Sequence, residues 1–213
     1  MRRALGLLIV VMLFAVASST ALAATSTKIT LRALVAEGSW EVFDENTGDG
    51  EFGDLQFATA EGRTTVFLIM SKGELLLCEG GETPNDPFDD FYGFVGSTTM
   101  GEGVGKLTVG KTYSTAVASG KVTAEVFSYN ECTGNEGTST TKTINVSLDL
   151  AGVSPVITEK LRSTISIPKR LRAKTMIQAQ SREAAGTLKV GGRTIETGGF
   201  IGLLQMRASS TER

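Results

Sequence analysis

The stretch TTVFLIMSKGELLLCE, residues 64–79, is the most apolar run of the chain outside its N-terminus. Two apolar segments, residues 66–70 and 75–77, flank Ser71-Lys72-Gly73-Glu74. Lys72-Gly73 offers a two-residue connection with glycine where a primed turn needs a positive φ, so the stretch predicts a β-hairpin. Neither arm alternates apolar with polar residues, which predicts that both faces of the hairpin are covered. A buried helix is the competing interpretation, and the short arms and Gly73 argue against it.

The N-terminal residues 1–23 are typical of a secretory signal peptide, expected as a signal helix. Arg2 and Arg3 precede an apolar segment at 4–17, and Ala21-Leu22-Ala23 matches the cleavage pattern, so cleavage is expected after Ala23. That apolar segment is shorter than the about 20 residues that cross a bilayer as a helix. The sequence therefore predicts a secreted or extracytoplasmic mature chain without a membrane span. An uncleaved signal anchor is the alternative.

The remaining residues, 24–213, are expected to form a single domain. Residues 27–36 and 142–150 alternate apolar and polar side chains, as half-buried strands do. Glu61-Gly62, Ser119-Gly120 and Gly191-Gly192 are expected turns between short strands. This pattern predicts an all-β fold, a single antiparallel β-sandwich, with a closed β-barrel as the alternative.

The chain has two cysteines, Cys78 and Cys132, and an even pair in an exported chain predicts a disulfide. Two free buried thiols are the alternative. The bond would close a loop of about 54 residues, which stabilises a fold by about 4 kcal/mol in the loop-entropy model.

Charge is distributed unevenly along the chain. Residues 44–90 contain twelve Asp or Glu and only two basic residues, whereas 155–213 contain eleven Lys or Arg and four Glu. The two segments either neutralise each other or lie on solvated faces; alternatively, the acidic part holds a cation and the basic part meets a cell-envelope polyanion. The overall acidic balance excludes a broad nucleic-acid footprint.

An acidic, glycine-containing loop follows residue 43. It fails the EF-hand pattern, because Gly48 takes the place of a ligand and Asp49 that of the required glycine. An irregular calcium site remains a candidate, and a solvated acidic turn is the alternative. Its candidate ligands are Asp44, Asn46, Asp49, Glu51 and Asp54. A second acidic loop at 82–90 is a weaker candidate of the same kind.

Histidine is absent, which excludes Ser-His-Asp hydrolases, Cys-His proteases and His-ligated metal sites. The segment 105–112, GKLTVGKT, matches the letters of a phosphate-binding loop, but β-like residues follow it instead of a helix. We interpret the match as coincidental. No catalytic residue and no cofactor other than calcium is predicted.

Three segments of the C-terminal third carry a resemblance: VSLDLAG at 146–152, LRST at 161–164 and SREAAGT at 181–187. Together they resemble the end of a group of small secreted bacterial β-proteins that are uncharacterised. The resemblance covers about 50 residues and implies a secreted bacterial β-protein without transferring an activity. The chain departs from the group at Asp149-Leu150, where the group tends to have an aromatic residue.

These observations predict an exported, non-catalytic binding or structural module, envelope-associated or released, whose partner is a polyanion, a glycan or a protein. A calcium-assisted domain that binds glycan or protein is the first alternative. A carboxylate-dependent hydrolase, with two buried carboxyl groups facing a cleft, is the second.

Overall fold

The computed structural model describes residues 26–44, 47–78, 91–137, 139–167 and 171–212. The signal segment 1–23 and the second acidic loop lie outside these residues. The described chain is almost entirely extended. Its strands are β1 (Ser26–Phe43), β2 (Asp49–Ala60), β3 (Arg63–Cys78), β4 (Phe91–Val109), β5 (Thr115–Asn130), β6 (Asn135–Glu136), β7 (Thr140–Gly152), β8 (Ile157–Ile167), β9 (Leu171–Val190) and β10 (Arg193–Glu212).

The strands form one sheet, in the order β10-β1-β2-β3-β4-β5-β7-β9-β8, with β6 paired to β5. The registered pairs are antiparallel. β10 also pairs with β9, so the pairing path through eight of the strands returns to the strand where it began. The predicted antiparallel all-β class is confirmed.

The predicted hairpin at Lys72-Gly73 is wrong. β3 runs without a turn from Arg63 to Cys78, and Gly73 pairs with Gly50 on one side and Gly96 on the other. Gly73 does not have a positive φ. At Gly73 the backbones of β3 and β4 approach each other closely, which also favours glycine. The expected cover on both faces holds for residues 66–70, where no side chain is exposed, and is wrong for 75–77, where all three leucines are exposed.

The other expected turns have mixed outcomes. Glu61-Gly62 connects β2 to β3 and Gly191-Gly192 connects β9 to β10, each with two positive φ values, as a primed hairpin turn requires. Ser119-Gly120 lies inside β5 and is not a turn. The strands are therefore longer than the glycine pattern predicts.

The segment that resembles a phosphate-binding loop spans the end of β4 and the start of a 3-10 turn, Lys111–Tyr113, and β5 follows. No α-helix begins there, which confirms that the match is coincidental. Among the described residues, no helix is long and apolar enough to cross a membrane.

The chain divides into two compact units. Of the described residues, the larger contains those within 31–161 and 177–206, and the smaller contains 26–30, 162–167, 171–176 and 207–212. The predicted domain boundary at residue 24 stays a prediction.

The larger unit has a continuous apolar core. Side chains of alternate residues along each strand meet there, since successive residues point to opposite faces. In β7, Val146, Leu148 and Leu150 are buried as their alternation predicts. The largest fully buried side chains are Phe57, Leu55, Leu68, Leu148, Leu150, Leu188, Ile201, Val66 and Val122.

Candidate functional site

An aromatic patch lies on the face of β1–β5 opposite the core of the larger unit. The register aligns Phe43, Gly50, Gly73, Gly96 and Tyr129 across five neighbouring strands. Three glycines thus form a floor between two aromatic residues. Phe52 and Phe94 lie on the same face, each two residues from a floor glycine, because side chains two apart in a strand share a face. We call Phe43, Phe52, Phe94 and Tyr129 the aromatic platform.

Gly73 allows the ring of Phe94 to lie directly on the backbone. A Cβ at Gly73 would be 2.7 Å from Cε1 of Phe94 and 2.7 Å from Cα of Gly96. A Cβ at Gly50 would be 3.2 Å from Cδ2 of Phe43 and 3.8 Å from Cε2 of Phe94. Because glycine has no side chain, the rings of Phe43 and Phe94 can lie close to the backbone of the sheet.

The rings of the platform differ in orientation. Phe94 and Tyr129 have ring centroids 5.8 Å apart and ring planes only 23° apart, so their faces are nearly parallel. Phe52 is tilted 59° to Phe94, with centroids 6.3 Å apart. Phe43 is 52% exposed and Phe52 50%. Contiguous exposed apolar surface of this kind marks binding sites more often than isolated exposed residues do.

The disulfide lies beside the platform and fixes the loop after β5. Cys78 and Cys132 are bonded, as the sequence predicts, and Cys78 is 2% exposed. In that loop, Glu131 accepts a hydrogen bond from the backbone N–H of Phe94 at 2.7 Å and donates its own N–H to the carbonyl oxygen of Phe94 at 3.2 Å. The bond between β3 and this loop thereby helps to hold Phe94 in place.

Polar groups border the platform. Phe52 pairs with Glu41 in β1 and with Ser71 in β3. Ser71 shares a hydrogen bond with Thr98, and their hydroxyl oxygens are 2.9 Å apart. The next three rows on the platform's own face, 41-52-71-98-127, 39-54-69-100-125 and 37-56-67-102-123, contain no Lys or Arg. Their acidic members are Glu37, Glu41, Asp54, Glu102 and Glu125. This face therefore repels anionic ligands and accepts neutral or cationic ones.

A buried carboxylate with a half-exposed guanidinium partner lies on the core side of the same strands. Glu51 is 8% exposed and accepts hydrogen bonds from Nε1 of Trp40 at 3.0 Å and from Nη1 of Arg193 at 2.6 Å. Nη2 of Arg193 contacts the other carboxylate oxygen. Three strands, β1, β2 and β10, thus converge on one carboxylate, which would be costly to bury without these donors.

The structure does not bring the five candidate calcium ligands together. Glu51 and Asp54 lie on opposite faces of β2, and Glu51 already has Arg193 and Trp40 as partners. Asn46 lies outside the described residues. Within the part of the chain that the structure describes, no group of three or more acidic or cysteine side chains could hold a metal ion. Calcium binding around Asp44 and Asp49 stays a prediction.

Two carboxyl groups beside the platform have raised pKa values. Burial raises the pKa of Glu37 above that of an ordinary glutamate, a hydrogen bond from Gln56 at 2.7 Å opposes the rise, and the charge of Asp54 adds to it. Burial also raises the pKa of Asp54. The folded state therefore holds these protons more tightly than the unfolded state. Their contribution to stability is complete below their ordinary pKa values and is lost as the pH rises through the raised ones.

We expect Glu37→Gln to gain stability relative to the wild type as the pH rises from about 4 to about 7, because the variant has no carboxyl group to deprotonate there. Urea unfolding of both proteins across this range measures the difference. Glu102→Gln, an exposed position on β4, controls for the loss of one negative charge. A difference between Glu37→Gln and wild type that is constant with pH would contradict the raised pKa.

Searches of protein-family models, curated proteins and solved structures find no match to this chain. The C-terminal resemblance to small secreted bacterial proteins stays a prediction. Function is therefore inferred from the chain's own residues and geometry.

Sequence reasoning does not find the platform as a site. Phe43, Phe52, Phe94 and Tyr129 come from four different strands, so no local pattern joins them. The available signal is a glycine in each of three strands, Gly50, Gly73 and Gly96. Only the register shows that these glycines are neighbours.

Proposed function

We propose that the protein is an exported, non-catalytic binding module, envelope-associated or released, that uses the aromatic platform to bind a glycan of neutral or amino sugars. The exposed rings of Phe43 and Phe52, beside the stacked pair of Phe94 and Tyr129, carry this proposal. A pyranose ring presents C–H groups on its face, and these are attracted to the negative face of an aromatic ring. The disulfide supports export, because such bonds persist in oxidising compartments.

The surroundings of the platform favour a sugar without anionic groups. Glu41, which is exposed, and the partly exposed hydroxyl group of Thr98 can hydrogen-bond sugar hydroxyls at the edge of a stacked ring. Sulfated or uronic sugars would meet five carboxylates in the adjoining rows and no cation there. The same charges disfavour an anionic polymer at this face.

We expect Tyr129→Ala and Phe52→Ala each to weaken glycan binding about 10-fold to 30-fold, since aromatic contacts at the centre of a binding site contribute most of its affinity. Isothermal titration with short oligosaccharides of glucose and of N-acetylglucosamine measures the change. Val104→Ala is the matched control, because Val104 is an apolar residue, 74% exposed, on β4 far from the platform.

Two results would remove the proposal. One is a wild-type protein that binds no neutral or amino-sugar oligosaccharide at millimolar concentration. The other is binding that Tyr129→Ala and Phe52→Ala leave unchanged. If the platform binds a protein and no sugar, the partner is a protein, which the sequence also predicts.

A further inference from the structure

The smaller unit contains a cavity of about 550 Å³ that the platform does not involve. Its lining comes from the start of β1, from β8, from the start of β9 and from the end of β10. Among the described residues, each of these strands contributes one cation to the lining. The four are Lys28, Arg162, Lys174 and Arg207. The volume is within the range of about 300–1,000 Å³ that small-molecule sites have.

The strand geometry explains why the cations share one cavity. In each strand, the residue two positions after the cation, which shares its face, also lines the cavity. In β8, β9 and β10 the residue between the two borders the cavity as well. These second residues are Thr30, Thr164, Met176 and Ser209. Three of the four carry a hydroxyl group, so the cavity presents neutral hydrogen-bond donors beside the positive charges.

Among the lining residues that the structure describes, none is acidic. In the described part of the chain, none of the four cations forms an ion pair, and the one ion pair found there joins Arg193 to Glu51. Four like charges around a single cavity repel one another without an anion to offset them. Guanidinium groups match phosphate oxygens with paired hydrogen bonds, and ammonium groups add charge.

We propose that this cavity binds a compound with two or more phosphate groups. One phosphate would satisfy two of the cations, and a second is needed to offset the other two. The hydroxyl groups of the lining suit the remaining phosphate oxygens or the hydroxyl groups of a phosphorylated polyol. This site is independent of the glycan site, because it uses different residues and the opposite charge.

Binding of tripolyphosphate and of a six-carbon polyol bisphosphate tests the proposal and separates the two sources of phosphate. Citrate, which has a similar charge but only carboxylates, is the comparison anion. We expect the full chain to bind at least one of the phosphate compounds at low ionic strength, more tightly than citrate, and to bind less tightly in about 0.15 M salt. Thermal unfolding should shift upward with the same ligand, because a ligand of the native state stabilises it.

We expect Arg162→Gln and Arg207→Gln each to weaken phosphate binding about tenfold, as loss of a hydrogen bond to a charged group does. Lys106→Ala and Lys189→Ala, exposed on β4 and β9 of the larger unit, should leave the affinity unchanged. Arg207→Lys, which keeps the charge, should lose less affinity than Arg207→Gln.

Three results would overturn the proposal. The first is no measurable binding of either phosphate compound at low ionic strength. The second is equal weakening by the cavity variants and the Lys106 and Lys189 controls, which would show attraction to net charge alone. The third is citrate binding as tightly as the phosphates. All four lining cations are exposed, so their variants are expected to fold, and unchanged urea unfolding of each variant checks this.

Discussion

Replacing both cysteines by serine should lower the free energy of unfolding by about 4 kcal/mol, because the disulfide closes a long loop and restricts the unfolded chain. The bonded residues are 54 positions apart. β4 lies between β3 and the loop that contains Cys132, so the bond links segments on either side of a strand. A loss of this size is a large part of the stability of a typical domain.

Loss of the disulfide should also weaken ligand binding at the platform. Without the bond, the loop that contains Glu131 is held to Phe94 by its two hydrogen bonds. We therefore expect the Cys78→Ser/Cys132→Ser variant to bind oligosaccharide more weakly than the wild type even where it is fully folded.

Urea unfolding with and without reductant measures the stability of both proteins. Reductant should destabilise the wild type and leave the stability of the double serine variant unchanged. The variant is therefore the control for other effects of the reductant. If the wild type and the variant unfold at the same urea concentration, the bond contributes nothing and its proposed part in fixing the loop is wrong.

The second large effect is expected at the ion pair of Glu51 and Arg193. Arg193→Ala should lower the free energy of unfolding by about 2–3 kcal/mol, because it leaves the carboxylate of Glu51 buried with Trp40 as its remaining donor. The value is below that of a fully buried pair, because the side chain of Arg193 is 52% exposed. Glu51→Gln should cost less, since it removes the buried charge and Arg193 can turn to solvent.

A double-mutant cycle with Arg193→Ala and Glu51→Gln isolates the interaction between the two side chains. The double variant should be more stable than the sum of the single losses predicts, because the neutral amide no longer needs the guanidinium. Fluorescence of Trp40, the only tryptophan, reports unfolding from within the cluster. Strict additivity of the two losses would show that the pair is not coupled.

The sequence predicts the class of fold well where the local pattern is decisive. Alternation in 142–150 gives the buried face of β7, and Gly191-Gly192 gives a real turn. The same reasoning fails at Gly73 and Gly120, because glycine favours a turn and a close backbone approach alike. Nothing local to Gly73 shows that the ring of Phe94 will lie on it.

The sites depend on residues that are distant in the sequence. Glu51 and Arg193 are 142 positions apart, so no local pattern indicates that they pair. The basic C-terminal segment predicts a positive surface, but Lys28 joins it only because β1 pairs with β10. Pairing of the strands, rather than composition, decides which charges and rings become neighbours.

The central claim, that the platform is the binding surface, is tested most directly by nuclear magnetic resonance of the aromatic side chains during titration with an oligosaccharide. The ring signals of Phe52, Phe94 and Tyr129 should shift together and saturate, while the methyl signals of Val104 stay in place. Saturable shifts confined to other residues, or none at any concentration, would contradict the account.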